Sequence, residues 1–126
     1  MRWVLLGLLV GCEEVKTPLN PASMSSEAGL YDLEFTPGQS PFVSSAPASL
    51  EVAVFGADGP AEVDLQLKLW MPDHGHGISG EPSIESTETG VFQLGWTFSM
   101  PGYWEFTFEL DGPAGPDVAV AAWDVQ

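Results

Sequence analysis

From Leu30 onward, apolar and polar residues alternate with a period of two, the pattern of strands with one buried face. The alternation predicts seven strands. Leu30–Phe35 is ended by Thr36-Pro37-Gly38, and Ser49–Phe55 puts Leu50, Val52 and Val54 on one side. In Val63–Trp70, Val63, Leu65, Leu67 and Leu69 share a face. Ser83–Glu88, Val91–Phe98, Tyr103–Leu110 and Asp117–Val125 complete the set. No segment repeats its apolar residues every 3.6 positions. Eleven prolines and fourteen glycines punctuate the pattern. Short, frequently interrupted strands without helices predict an all-β fold, an antiparallel immunoglobulin-like β-sandwich of about seven strands. Phe92, Trp96, Phe98, Trp104, Phe106 and Phe108 point inward and supply most of the core, each burying roughly 150–250 Å². Gly95, inside an otherwise aromatic strand, predicts a bulge or a close backbone approach.

The alternation is missing before Leu30. Residues 13–29 hold Pro18, Pro21, Ser23, Ser25, Ser26 and Gly29 and read as a flexible tether, with Met24 a linker residue. Upstream, Arg2 precedes an apolar run from Trp3 to Val10 that closes on Leu9-Val10-Gly11-Cys12. The run is too short for a membrane-spanning helix, which needs about 20 residues, and long enough for the apolar part of a signal. It resembles a bacterial lipoprotein signal. The resemblance implies cleavage before Cys12 and lipidation of its thiol, with palmitate-type acyl chains. It divides the chain into a signal (1–11), a lipidated cysteine with tether (12–29) and one domain (30–126). The implied location is the bacterial cell envelope, lipid-anchored and facing the periplasm or the surface. Glu13 after the cysteine favours the outer membrane by resemblance to lipoprotein sorting signals.

Charge narrows the partners. Eighteen acidic residues face three basic ones; without Arg2 only Lys16 and Lys68 remain, for a net charge near −16. Phosphate backbones and anionic lipids both require basic residues, so nucleic acid is excluded as a partner and acyl chains must hold the chain at the membrane. An acidic surface concentrates cations. Cys12 is the only cysteine, so no disulfide staples the domain.

One segment carries candidate chemistry. Met71-Pro72-Asp73-His74-Gly75-His76-Gly77 contains both histidines of the chain. Imidazole is the commonest metal ligand in proteins, and His74 and His76 stand one residue apart in a glycine-rich loop. Asp73 is either an acceptor that orients one imidazole or a turn residue after Pro72. Met100 ends another strand, and strand parity allows its thioether and that of Met71 to share one rim of the sandwich with the histidines. Both methionines also continue inward apolar rows, which suits core packing equally. Imidazole with thioether is a soft, mixed donor set that fits copper, Cu(I) above all, better than zinc or calcium.

The stretch Gly59–Leu110 resembles the YtkA-like domain. The resemblance rests on Val63–Leu69 followed by Met71-Pro72-x-His74-Gly75-His76-Gly77, then Gly90-x-Phe92 and Phe98-x-Met100-x-Gly102-x-Trp104. Phe92 departs from the tyrosine often found there. The resemblance implies an exported or membrane-attached sandwich with a possible part in copper handling, and marks His74, His76, Met71 and Met100.

Two functions follow as expectations. One is a membrane-anchored lipoprotein that binds copper or delivers it to an accepting protein. The other is a metal-free interaction module scaffolding a membrane complex. Ser79, Ser83, Glu85 and Glu88 form no nucleophile motif, so the chain is not expected to be an enzyme.

Overall fold

The computed structural model describes residues 17–126. The signal-like run, Cys12, Glu13 and Lys16 lie outside the described residues.

Among the described residues, ten strands follow in order: β1 (Ser23–Ser25), β2 (Asp32–Pro37), β3 (Pro47–Gly56), β4 (Gly59–Pro60), β5 (Asp64–Met71), β6 (His76–Gly77), β7 (Ser83–Glu88), β8 (Val91–Thr97), β9 (Gly102–Gly112) and β10 (Gly115–Val125). They build two antiparallel sheets. The first runs β10-β9-β5-β6, and the second β1-β2-β3-β8-β7 with β4 paired to β3. The chain is therefore an immunoglobulin-like β-sandwich. All seven strands expected from the alternation are present, displaced by at most a few residues at their ends.

The inward rows do what their spacing predicts. Phe98, Trp104, Phe106 and Phe108 are fully buried, and Phe92 and Trp96 nearly so. Phe106 lies at the centre, with ring centroids 4.5 Å from Trp123, 5.4 Å from Trp96 and 6.0 Å from Phe98. Phe42, from the loop between β2 and β3, fills the gap between the sheets against Trp96 and Phe98.

Two expectations need correction. Residues 17–29 are not a free tether. β1 pairs with β2, placing Met24 opposite Leu33. The Asn20 N–H donates to the Ala122 carbonyl at 2.7 Å, and the Ala122 N–H donates to the Pro18 carbonyl at 2.9 Å. The segment thus satisfies the outer edge of β10, which would otherwise offer unpaired backbone groups. The domain begins before residue 30. Nor does the bulge fall at Gly95, which is in regular register with Ser49 and Ser83. It falls between Ser86 and Glu88 on the exposed edge strand β7. Gly95 instead admits a close approach: a Cβ there would meet the Ser83 hydroxyl at 3.0 Å.

Candidate metal centre

β5 and β6 form a hairpin whose tip is Pro72-Asp73-His74-Gly75. The N–H groups of His74 and Gly75 both donate to the Met71 carbonyl, at 3.2 and 2.8 Å. Gly75 has a φ of 68°, the left-handed conformation that glycine adopts at little cost. The hairpin registers Met71 opposite His76, so their side chains lie on the same face. On the other sheet, β8 runs out at Thr97. Its continuation through Phe98, Ser99, Met100 and Pro101 crosses to β9 at the same rim.

The crossing brings His76 and Met100 together. The Nε2 of His76 stands 3.2 Å from the Met100 sulfur, and its Nδ1 stands 3.1 Å from the Gly77 carbonyl. With the proton on Nδ1 the ring donates to the Gly77 carbonyl; with the proton on Nε2 it donates to the Met100 sulfur. In the Nδ1–H tautomer, Nε2 presents its lone pair to the thioether, which is itself an acceptor. In that tautomer a soft cation between nitrogen and sulfur would take both lone pairs. Bonds of ~2.0–2.1 Å to nitrogen and ~2.3 Å to sulfur reach both atoms at a bent angle. Protein metal sites commonly hold a ligating imidazole through its second nitrogen in this way.

The other candidates are placed less closely. His74 is exposed at the hairpin tip, its ring centroid 5.8 Å from that of His76. Met71 is buried in the core, with its methyl against Gly102. Asp73 is exposed, and among the described residues no hydrogen bond joins it to either imidazole. Asp73 sits in the turn after Pro72, and the group beside His76 Nδ1 is the Gly77 carbonyl. Among the described residues no three His, Cys, Asp or Glu side chains gather as a metal site; the candidate donors at this rim are imidazole and thioether.

Two further features were not legible in the sequence. The Trp104 indole lies edge-on to His76, with centroids 6.0 Å apart, and its N–H donates to the Met100 carbonyl at 3.0 Å. Tyr103, next to it, has its phenol pKa raised, first by burial and then by the negative charge of Glu105, Asp124 and Asp73. Acidic groups therefore flank the rim and favour cations there.

No protein-family model matches the chain, and no curated protein matches it. Among solved structures, it is similar to a DUF4426 family protein from Pseudomonas aeruginosa PAO1, at 18% identity and a TM-score of 0.57 over 76% of this chain and 90% of that one. It is also similar to the Lin-41 filamin domain, at 18% identity and a TM-score of 0.51 over 73% and 91%. Likeness at this identity shows the fold alone.

Proposed function

We propose that this chain is a lipid-anchored lipoprotein of the bacterial envelope that binds copper, as Cu(I), and hands it to an accepting protein. His76 and Met100 are the inner ligands. His74, exposed at the hairpin tip, is the ligand that exchanges first, and Met71 lies beneath as a reserve thioether. The observation that carries the reading is the approach of His76 Nε2 to the Met100 sulfur at 3.2 Å, with Nδ1 beside the Gly77 carbonyl at 3.1 Å. A soft pair of this kind selects a soft ion. An incomplete set at an open rim suits transfer by ligand exchange rather than permanent storage, and a delivery protein rather than an enzyme. The same proposal includes kinship with YtkA-like domains, the signal ending at Cys12 and an outer-membrane anchor. The test is anaerobic Cu(I) titration of the full chain against a chromogenic chelator. Unchanged affinity in a His74→Ala/His76→Ala double variant overturns it.

A second reading is a metal-free interaction module. It is favoured by Trp70, whose side chain is 46% exposed on the outer face of the first sheet, a large aromatic left open to a partner. Partner binding that survives chelation and is lost in Trp70→Ala would favour this reading over copper delivery.

A further inference from the structure

Trp104 touches both halves of the His76–Met100 pair, one on β6 and the other on the connection from β8 to β9. Its indole N–H donates to the Met100 carbonyl across four residues, and its ring stands at 70° to the His76 imidazole with centroids 6.0 Å apart. The indole is fully buried, and the Phe98 ring packs on it at 5.1 Å. It is therefore a fixed object against which β6 and the loop carrying Met100 are set. The loop carrying Met100 is also anchored at its start, where the Ser45 N–H donates to the Phe98 carbonyl at 2.9 Å. Pro101, following Met100, has no N–H to offer.

The bond is not a routine consequence of burying an indole. Trp96 is also buried in this core, and among the described residues its Nε1 has no hydrogen-bond partner. Of these two indoles, that of Trp104 is the one aimed at the carbonyl of a candidate ligand.

We infer that Trp104 is the positioning residue of the rim site, setting the separation of the His76 nitrogen and the Met100 sulfur before any ion arrives. Preorganisation of this kind adds affinity by removing the cost of ordering the ligands on binding. The inference rests on the copper reading for its effect on affinity, but its geometric content can be read without metal.

The experiment uses the full chain. Trp104→Phe keeps an aromatic ring and removes the N–H. Phe108→Leu, on the same inward row of β9 and equally buried, loosens the core away from Met100. Anaerobic Cu(I) competition is expected to show roughly three- to tenfold weaker binding in Trp104→Phe, the range one lost hydrogen bond supports. Phe108→Leu should lower the melting temperature and leave the affinity within about twofold of wild type. In the metal-free protein, the nuclear Overhauser contact between the Met100 methyl and the His76 ring should weaken in Trp104→Phe and persist in Phe108→Leu. Should Trp104→Phe fail to fold, 3-benzothienylalanine at position 104 retains the bicyclic shape and replaces N–H by sulfur. Equal affinity losses in the two variants, or an undiminished methyl–ring contact without the N–H, overturn the inference. If the wild-type chain binds no Cu(I), the copper reading falls, and the metal-free contact still decides whether Trp104 positions the pair.

Discussion

The terminal methyl of Met71 occupies the space that a Cβ on Gly102 would need. Gly102 has a φ of 132°, a conformation that side-chain-bearing residues rarely adopt. The first residue of β9 is thus glycine for two reasons, backbone and neighbour. Gly102→Ala is expected to destabilise the fold by about 1–3 kcal/mol through strain and overpacking. Met71 is flexible, so part of the cost comes from displacing its methyl. Adding Met71→Ala should relieve that part, making the double variant less destabilised than the sum of the singles. Urea unfolding of all four proteins measures the coupling, and strict additivity would show that the two residues do not interlock.

The rim predicts a graded response among its donors. Orienting groups around metal ligands typically contribute 10–100-fold to affinity, so removing a ligand should cost at least ~10-fold. His76→Ala and Met100→Leu are expected to lose that much Cu(I) affinity each. His74→Ala should lose less, because its exposed ring is not held against the pair. Asp73→Asn should change little, since Asp73 does not orient either imidazole. A larger loss from His74→Ala than from His76→Ala would reverse the assignment of inner and exchanging ligand.

The sandwich was legible because its information is local. Period-two rows such as Trp104, Phe106 and Phe108 declare both the strand and its buried face. The meeting of His76 with Met100 was legible only as a parity argument, because it depends on two strands of different sheets ending at one rim. The role of Trp104 was hidden, since an indole in an inward row looks the same whether or not its N–H is aimed at a loop carbonyl. The segment before residue 30 misled for a physical reason. Prolines and serines signal a linker when read alone, but here they satisfy an edge strand 100 residues away, and no short-range pattern encodes that pairing. Asp73 was open in the sequence because proline-aspartate suits a turn as well as an imidazole partner.

Asp117 fastens that N-terminal segment. Its carboxylate accepts from the Ser26 hydroxyl at 2.6 Å, the Ala28 N–H at 3.0 Å, the Leu30 N–H at 3.2 Å and the Val118 N–H at 2.8 Å. Burial alone raises its pKa, yet these hydrogen bonds prevail and hold it below the ordinary aspartate value. A carboxyl whose folded-state pKa is depressed stabilises the fold fully above the unfolded-state value. That contribution fades as pH falls through the folded-state value. Asp117→Asn should therefore be less stable than wild type at neutral pH. The gap should close on acidification through and below the ordinary aspartate range. Urea midpoints for both proteins across that range test this, and a gap independent of pH would remove the charge from the account.

The strap over β10 makes a separate prediction at Asn20. Its φ is 51°, its N–H donates to the Ala122 carbonyl, and its side-chain oxygen accepts from the Asp124 N–H at 3.3 Å. Proline fixes φ near −65° and has no N–H, so Asn20→Pro should lift the strap from the sheet edge. Glycine accepts a positive φ freely, so Asn20→Gly should retain the strap and lose only the bond to Asp124. The Ala122 amide, which donates to the Pro18 carbonyl, reports the difference directly. Its hydrogen exchange should accelerate strongly in Asn20→Pro and only modestly in Asn20→Gly. An uncovered edge also templates pairing between chains, so the proline variant should self-associate with rising concentration in sedimentation experiments while the glycine variant behaves as wild type. Slow Ala122 exchange in Asn20→Pro would mean that the strap is held elsewhere, by the Asp117 clamp or by β1, and not by its bond to the edge.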